Sequence, residues 1–138
     1  MSKRADSDEH YVLDLCDEVV GIRGERQATF PWLVGDTSPT TGRARKLPVD
    51  GYWPSLKFVV EFQEKQHTQV VPLFDRRATV SGVPRGQQRR LYDQRKAAIL
   101  PQQGIRLIVI HKSEFTTRAD KIVRDHERDI AIVRDHLT

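Results

Sequence analysis

The chain has a single cysteine in its 138 residues, Cys16, so it cannot close an internal disulfide, which agrees with a reducing compartment. No apolar run approaches the roughly 20 residues that a membrane-spanning helix needs. The opening MSKRADSDEH lacks the apolar stretch of a secretory signal. No membrane partner is therefore expected, and a cytoplasmic location is. Zinc-ligand spacing and helix-turn-helix patterning are also missing, which removes two self-contained ways of reading a nucleic-acid sequence. What the chain has in quantity is charge. Charged residues make up 30% and apolar ones 38%, with a formal net charge of +4 and a pI near 9.5. Such a composition suits a soluble chain with one core, and its basic excess suits a polyanionic partner.

The stretch Leu47 to His67, LPVDGYWPSLKFVVEFQEKQH, organises the rest. Val49, Tyr52, Phe58, Val59, Val60 and Phe62 supply β-branched and aromatic residues on either side of the Trp53-Pro54-Ser55 break, which predicts two strands and a tight corner. Asp50 and Glu61 lie equally far from that corner. Folding about Ser55 and Leu56 sets them nearly opposite each other on strands about 4.8 Å apart. Two carboxylates so placed repel unless a cation lies between them, and a hydrated divalent ion satisfies both. In the second strand Leu56, Phe58, Val60 and Phe62 make an apolar face for helices. Lys57, Val59, Glu61 and Gln63 make the other face, expected to look into a cleft, with Lys65 and His67 extending it.

The flanking segments predict a scaffold for this hairpin. Asp8 to Val20 reads as an amphipathic helix with Asp6 or Ser7 as cap and Gly21 as terminator. Val12, Leu15, Cys16 and Val19 form its apolar stripe, and Glu9 either closes a capping box or points towards the hairpin. Cys16 is then a core filler. Glu25 to Val34 suggests an irregular strand confined to an edge by Pro31. Gly35 to Arg45 reads as a surface loop that, with Arg43, Arg45 and Lys46, could touch a phosphate backbone. Between Pro72 and Arg106, eight basic residues stand against Asp75 and Asp93; Arg76, Arg77, Arg85, Arg89, Arg90 and Lys96 are candidate phosphate contacts. Gln88 to Leu100 predicts a helix ended by Pro101 and Gly104. Ile105 to His111 predicts a central strand buried on both faces, so that a helix crosses over between two core strands of a mixed sheet. Thr117 to Leu137 predicts a packing helix containing the repeated Val-Arg-Asp-His of 123–126 and 133–136.

An Asp on one strand, ten residues, then Glu-x-Gln on the next strand, followed by a helix and a buried strand, resembles the PD-(D/E)xK nuclease superfamily. The series Glu61, Gln66, His67, Asp93, Lys96, Leu100, Gly104 and Leu107 is similar to small domains of the very-short-patch-repair endonuclease type, over about residues 9 to 111. The resemblance implies an α/β fold with a restriction endonuclease-like core: a mixed central sheet of about four strands flanked by helices, here with an extra C-terminal helix, all in one nuclease-like domain over 1–138. It implies a Mg²⁺-dependent endonuclease acting on DNA, with Mn²⁺ able to substitute. Asp50, Glu61 and the backbone carbonyl of Phe62 would hold the ion, with Glu9, or Glu18 in competition with it, as an assisting helix glutamate, and His67 would be functional. Two positions depart from the pattern. Gln63 stands where the superfamily has lysine, and Pro48-Val49 precedes Asp50 where Pro-Asp is typical. Because Gln63 cannot act as a general base, proton removal would fall to water activated by the metal, to His67 or to Lys65. Double-strand cleavage would ask for a homodimer. The alternative is a catalytically inactive nuclease-fold module that binds nucleic acid or serves as a subunit of a larger assembly.

Overall fold

The first helix, α1 (Asp8–Val20), starts and stops where the sequence marks it. Ser7 is the cap, its side chain accepting the His10 amide at 3.4 Å, and Gly21 ends the helix at φ 75°, its N–H donating to the Asp17 carbonyl. With Ser7 as cap, the residue three positions on is His10, so Glu9 closes no capping box and turns elsewhere. Val12, Leu15 and Cys16 are buried as the stripe predicts, and Leu13 joins them. This computed structural model describes residues 7–64 and 85–138.

The chain divides into two units, one built from Met1–Ala28, Val49–Lys65 and Arg106–Thr138, the other from Thr29–Pro48 and Gln66–Ile105. The first unit holds a four-stranded mixed sheet: β1 (Glu25–Ala28), β4 (Val49–Trp53), β5 (Phe58–Gln63) and β6 (Arg106–His111), in that spatial order. The β1/β4 and β4/β5 pairs are antiparallel, and β5/β6 is parallel. As expected, the corner of the β4–β5 hairpin is tight: a single 3₁₀ turn, Pro54–Leu56, closed by Lys57 at φ 54°. Leu56 belongs to that turn and is 47% exposed, so it is not part of the apolar face of β5. Phe58, Val60 and Phe62 are, packing with Ile108 and Ile110 of β6 against Val12, Leu13 and Cys16 of α1. Full burial of each such side chain stabilises by about 1.5–3 kcal/mol. Trp53 stacks on Phe58 and donates from its indole to the Ile22 carbonyl at 2.9 Å. Its ring lies so close to Gly24 that a Cβ there would sit 2.4 Å from it.

Two expectations for this unit are corrected. β6 is not a central strand buried on both faces; among the described residues it pairs only with β5, and burial alternates, with Ile108 and Ile110 inside and Leu107 and Val109 half-buried. A continuous apolar run reports total burial, not which neighbours supply it. The C-terminal helix α3 runs only from His126 to Leu137. Ahead of it lies a small ribbon, β7 (Thr117–Arg118) with β8 (Lys121–Ile122), turned at Ala119 and Asp120, both at positive φ (51° and 65°). Asp125 caps α3 by accepting the Arg128 amide. The two Val-Arg-Asp-His copies are thus structurally different, the first leading into a helix and the second inside it.

In the second unit the expected loop after Gly35 is instead a ribbon, β2 (Val34–Thr37) antiparallel to β3 (Ala44–Lys46). Helix α2 (Arg85–Gln102) extends past the predicted Gln88–Leu100 at both ends and carries Pro101 in its last turn. Gly104 at φ 74° then stops it, with the Ile105 amide returning to the Leu100 carbonyl. Trp32 packs as read, stacked on Phe30 at 4.5 Å between ring centroids.

Candidate active site

The site is a rung across the first unit's sheet. The β1/β4 register pairs Arg26 with Gly51 and Ala28 with Val49, which sets Gln27 beside Asp50; the β4/β5 register pairs Gly51 with Val60, and one step further along it stands Glu61. Gln27, Asp50 and Glu61 therefore line up on three adjacent strands. The carboxylates meet across the hairpin through main-chain donors. The Asp50 amide donates to Glu61 Oε2 at 2.7 Å, and the Phe62 amide donates to Asp50 Oδ2 at 2.8 Å. Each strand thus lends an N–H to the other's carboxylate just where the regular ladder ends. A carboxylate has about four lone-pair sites, so accepting one N–H does not exhaust it.

Glu9 approaches from α1. The Gln27 side-chain amide donates to Glu9 Oε2 at 3.3 Å and makes a longer contact of 3.5 Å with Asp50 Oδ1, linking the helix glutamate to the hairpin. Burial raises the pKa of the Glu9 carboxyl above its ordinary value, and Glu64 and Glu61 add to the rise against the lowering effects of His10 and Gln27. Gln27 was not anticipated. It sits at φ 53°, a left-handed conformation costly for a side chain with a Cβ. Its neighbour Arg26 holds β1 in place, with Nη2 2.6 Å from Asp17 and 3.1 Å from Asp14. The sequence signal for Gln27 was only the irregularity of its strand.

The other candidates are placed as follows. Glu61 is 5% exposed and Val59 fully buried, so this face of β5 is closed in and not the open cleft expected. Gln63 is half-buried at the end of β5, in register with His111 of β6. His67, Lys65, Arg76 and Arg77 lie outside the described residues, as does the side chain of Arg85. Arg89 and Arg90 are exposed on α2, whereas Lys96 bonds the Pro48 carbonyl at 3.0 Å. Among the described residues no three or more His, Cys, Asp or Glu side chains are grouped to hold a metal ion. The Asp50–Glu61 pair with the Phe62 carbonyl is an all-oxygen donor set, and Mg²⁺ is commonly held by one or two carboxylates while keeping several waters. The residues present fit that ion as a pair, with Glu9 held by Gln27 beside it.

A second ionic cluster of this unit was also missed. Lys112, just past β6, is 7% exposed and lies 3.1 Å from the equally buried Asp8, 3.7 Å from Asp120 and 4.0 Å from Glu64. Asp8 also accepts the Ile122 amide at 3.4 Å, so this pair fastens the start of α1 to β8. Among the described residues no helix is long and apolar enough to cross a membrane. No family model, curated protein or solved structure matches the chain.

Proposed function

We propose that the protein is a divalent-metal-dependent endonuclease hydrolysing DNA phosphodiester bonds, with Asp50 and Glu61 as metal ligands. The observation that carries this reading is the pair itself: two carboxylates on adjacent strands, each anchored by the other strand's amide. Anchoring both acids before any ion arrives fixes the donor oxygens without costing side-chain freedom on binding. Bound there, Mg²⁺ would activate water and offset charge on the phosphate. Around that ion the chain's own groups divide the work. Asp50 and Glu61 would hold it, with the Phe62 carbonyl as a further oxygen. Glu9, whose carboxyl is raised, adds negative charge that a cation would relieve, and Gln27 keeps it in line with Asp50. Gln63 can donate or accept a hydrogen bond but cannot take a proton, so it positions and does not act as base.

The second reading, a nuclease fold that only binds nucleic acid, is favoured by that same Gln63. Supercoiled plasmid separates the two. Nicking or linearisation with Mg²⁺ or Mn²⁺, absent with chelator and absent in Asp50→Asn and Glu61→Gln, is the expected result. Cleavage by both variants at the parent's rate would remove the proposed site, and no cleavage by the parent with either metal would leave the binding-only reading.

A further inference from the structure

We propose that the β2–β3 ribbon is the element that enters a groove of duplex DNA, with Arg43, Arg45 and Lys46 on its phosphates. That the partner is DNA rests on the reading above; the ribbon's part in binding it rests on the second unit alone. Charge is unevenly divided along the chain. The second unit has three acidic residues, Asp36, Asp75 and Asp93, against ten arginines and lysines, whereas the first unit is acidic on balance. Within the ribbon Asp36 is the one acidic residue, and it is taken up by Arg95, Nη2 to Oδ1 at 3.0 Å. Arg43 and every residue of β3, including Arg45 and Lys46, are exposed.

The ribbon is held at its base and ordered at its tip. Arg95 of α2 donates to the Val34 carbonyl at 2.9 Å, and the Tyr92 hydroxyl accepts the Asp36 amide at 3.0 Å. Gly35 lies against the Tyr92 ring so closely that a Cβ would come within 2.8 Å of its oxygen, which explains the absence of a side chain there. At the tip, the Ser38 amide bonds the Arg43 carbonyl and the Gly42 amide bonds Ser38, both at 2.8 Å, with Gly42 at φ 70°. Between Val34 and Thr37 the register shifts, an irregularity that twists a two-stranded ribbon. Two strands about 4.8 Å apart fit a major groove about 12 Å wide. From Arg43 to Lys46 the chain advances about 10 Å, a length over which a duplex presents about six phosphate charges.

The test is binding of a labelled duplex by fluorescence anisotropy in chelator, from low to moderate salt. The variant Arg43→Gln/Arg45→Gln/Lys46→Gln is compared with Arg23→Gln/Arg118→Gln/Arg134→Gln, which removes the same charge from exposed positions of the first unit. The ribbon variant should bind about a hundredfold more weakly near 0.1 M salt, with a log K against log[salt] slope shallower by about 2.7, or about 0.9 per phosphate contact. The control should change by less than about threefold, with its slope kept. An unchanged slope in the ribbon variant, or an equal loss in the control, overturns the proposal. So does ribbon-dependent binding of poly-glutamate or phosphatidylserine vesicles as tight as that of the duplex, which would make the partner an acidic polypeptide or a membrane. If the triple variant does not fold, Arg43→Gln and Arg45→Gln singly should each flatten the slope by about 0.9. Ribbon-dependent binding by a parent that never cuts defeats the catalytic reading alone; cutting with ribbon-independent binding defeats this one alone.

Discussion

The amide of Asp50 donates to the carboxylate of Glu61 across the β4–β5 hairpin at 2.7 Å, and the amide beyond Glu61 returns the bond to Asp50. The acids proposed to bind metal are therefore also what ties the end of the hairpin together. A variant that removes one should lose structure as well as chemistry.

Glu61→Gln and Glu61→Ala separate those two losses. Glutamine keeps an acceptor oxygen for the Asp50 N–H, while alanine leaves that donor without its partner in a half-buried position. An unmade bond of this kind costs about 1–3 kcal/mol. In urea unfolding the alanine variant should fall by about that amount and the glutamine variant by less than about 1 kcal/mol, while both lose metal-dependent cleavage. Equal stability of the alanine variant and the parent would show that the bond braces nothing.

Lys112 offers a test away from the proposed chemistry. Its ammonium and the Asp8 carboxylate are both nearly buried, at 8% and 5% side-chain exposure. Breaking such a pair on one side leaves an uncompensated charge and costs about 3–5 kcal/mol, whereas replacing both by apolar groups is often neutral. Lys112→Met should be strongly destabilised in urea, and Asp8→Leu/Lys112→Met should recover most of the loss. A double variant no better than the single one would mean that the Asp8 bond to the Ile122 amide, not the ion pair, is what matters.

Much of this architecture is legible in the sequence because local signals agree with the fold. Ser7 and Gly21 bracket α1, the Trp53-Pro54 break turns the hairpin, and the equal distance of Asp50 and Glu61 from it gives their register. Most of the misses depend on partners remote in sequence, and one on an unusual local backbone. Gln27 matters because β1 lands beside β4, and nothing in Arg26-Gln27-Ala28 announces that pairing. Ala119 and Asp120 both take left-handed backbone, which alanine rarely does, so the apolar spacing of Ile122 and Val123 imitates a helix where a ribbon forms. The loop expected after Gly35 is a ribbon because Tyr92 and Arg95 of a distant helix fix its first strand.

The buried thiol and half-buried phenol of α1 predict an alkaline weakness. Burial in the core pushes the Cys16 thiol up to about 12, from an ordinary 9.0. Burial and the bond to Asp129 also raise the Tyr11 phenol. A group whose folded pKa is raised contributes stability that is present below its unfolded value and is lost as pH rises towards the folded one. Stability should therefore decline from about pH 9 towards 12. Cys16→Ala, though less stable at neutral pH, should show a flatter decline over that window. In the native protein at pH 8 the thiol should resist iodoacetamide and react fully once unfolded. Rapid native labelling would contradict the burial.

Glu9 follows the same sign in a lower pH window and links stability to the proposed ion. Its carboxyl is raised by burial and then by Glu64 and Glu61, so its favourable contribution is present below the ordinary 4.5 and is lost as pH rises through the folded value. Ionised Glu9 is thus a strain on the fold at pH 7, and Glu9→Gln should melt at a higher temperature than the parent there, with the difference vanishing below about pH 4.5. A cation held by Asp50 and Glu61 would relieve the same strain. Saturating Mg²⁺ should accordingly raise the melting temperature of the parent more than that of Glu9→Gln, and should leave Asp50→Asn unmoved, as expected for a ligand that binds only the folded state. A Glu9→Gln variant less stable than the parent at pH 7, or a Mg²⁺ response unchanged by Asp50→Asn, would dissociate the helix glutamate from the carboxylate pair.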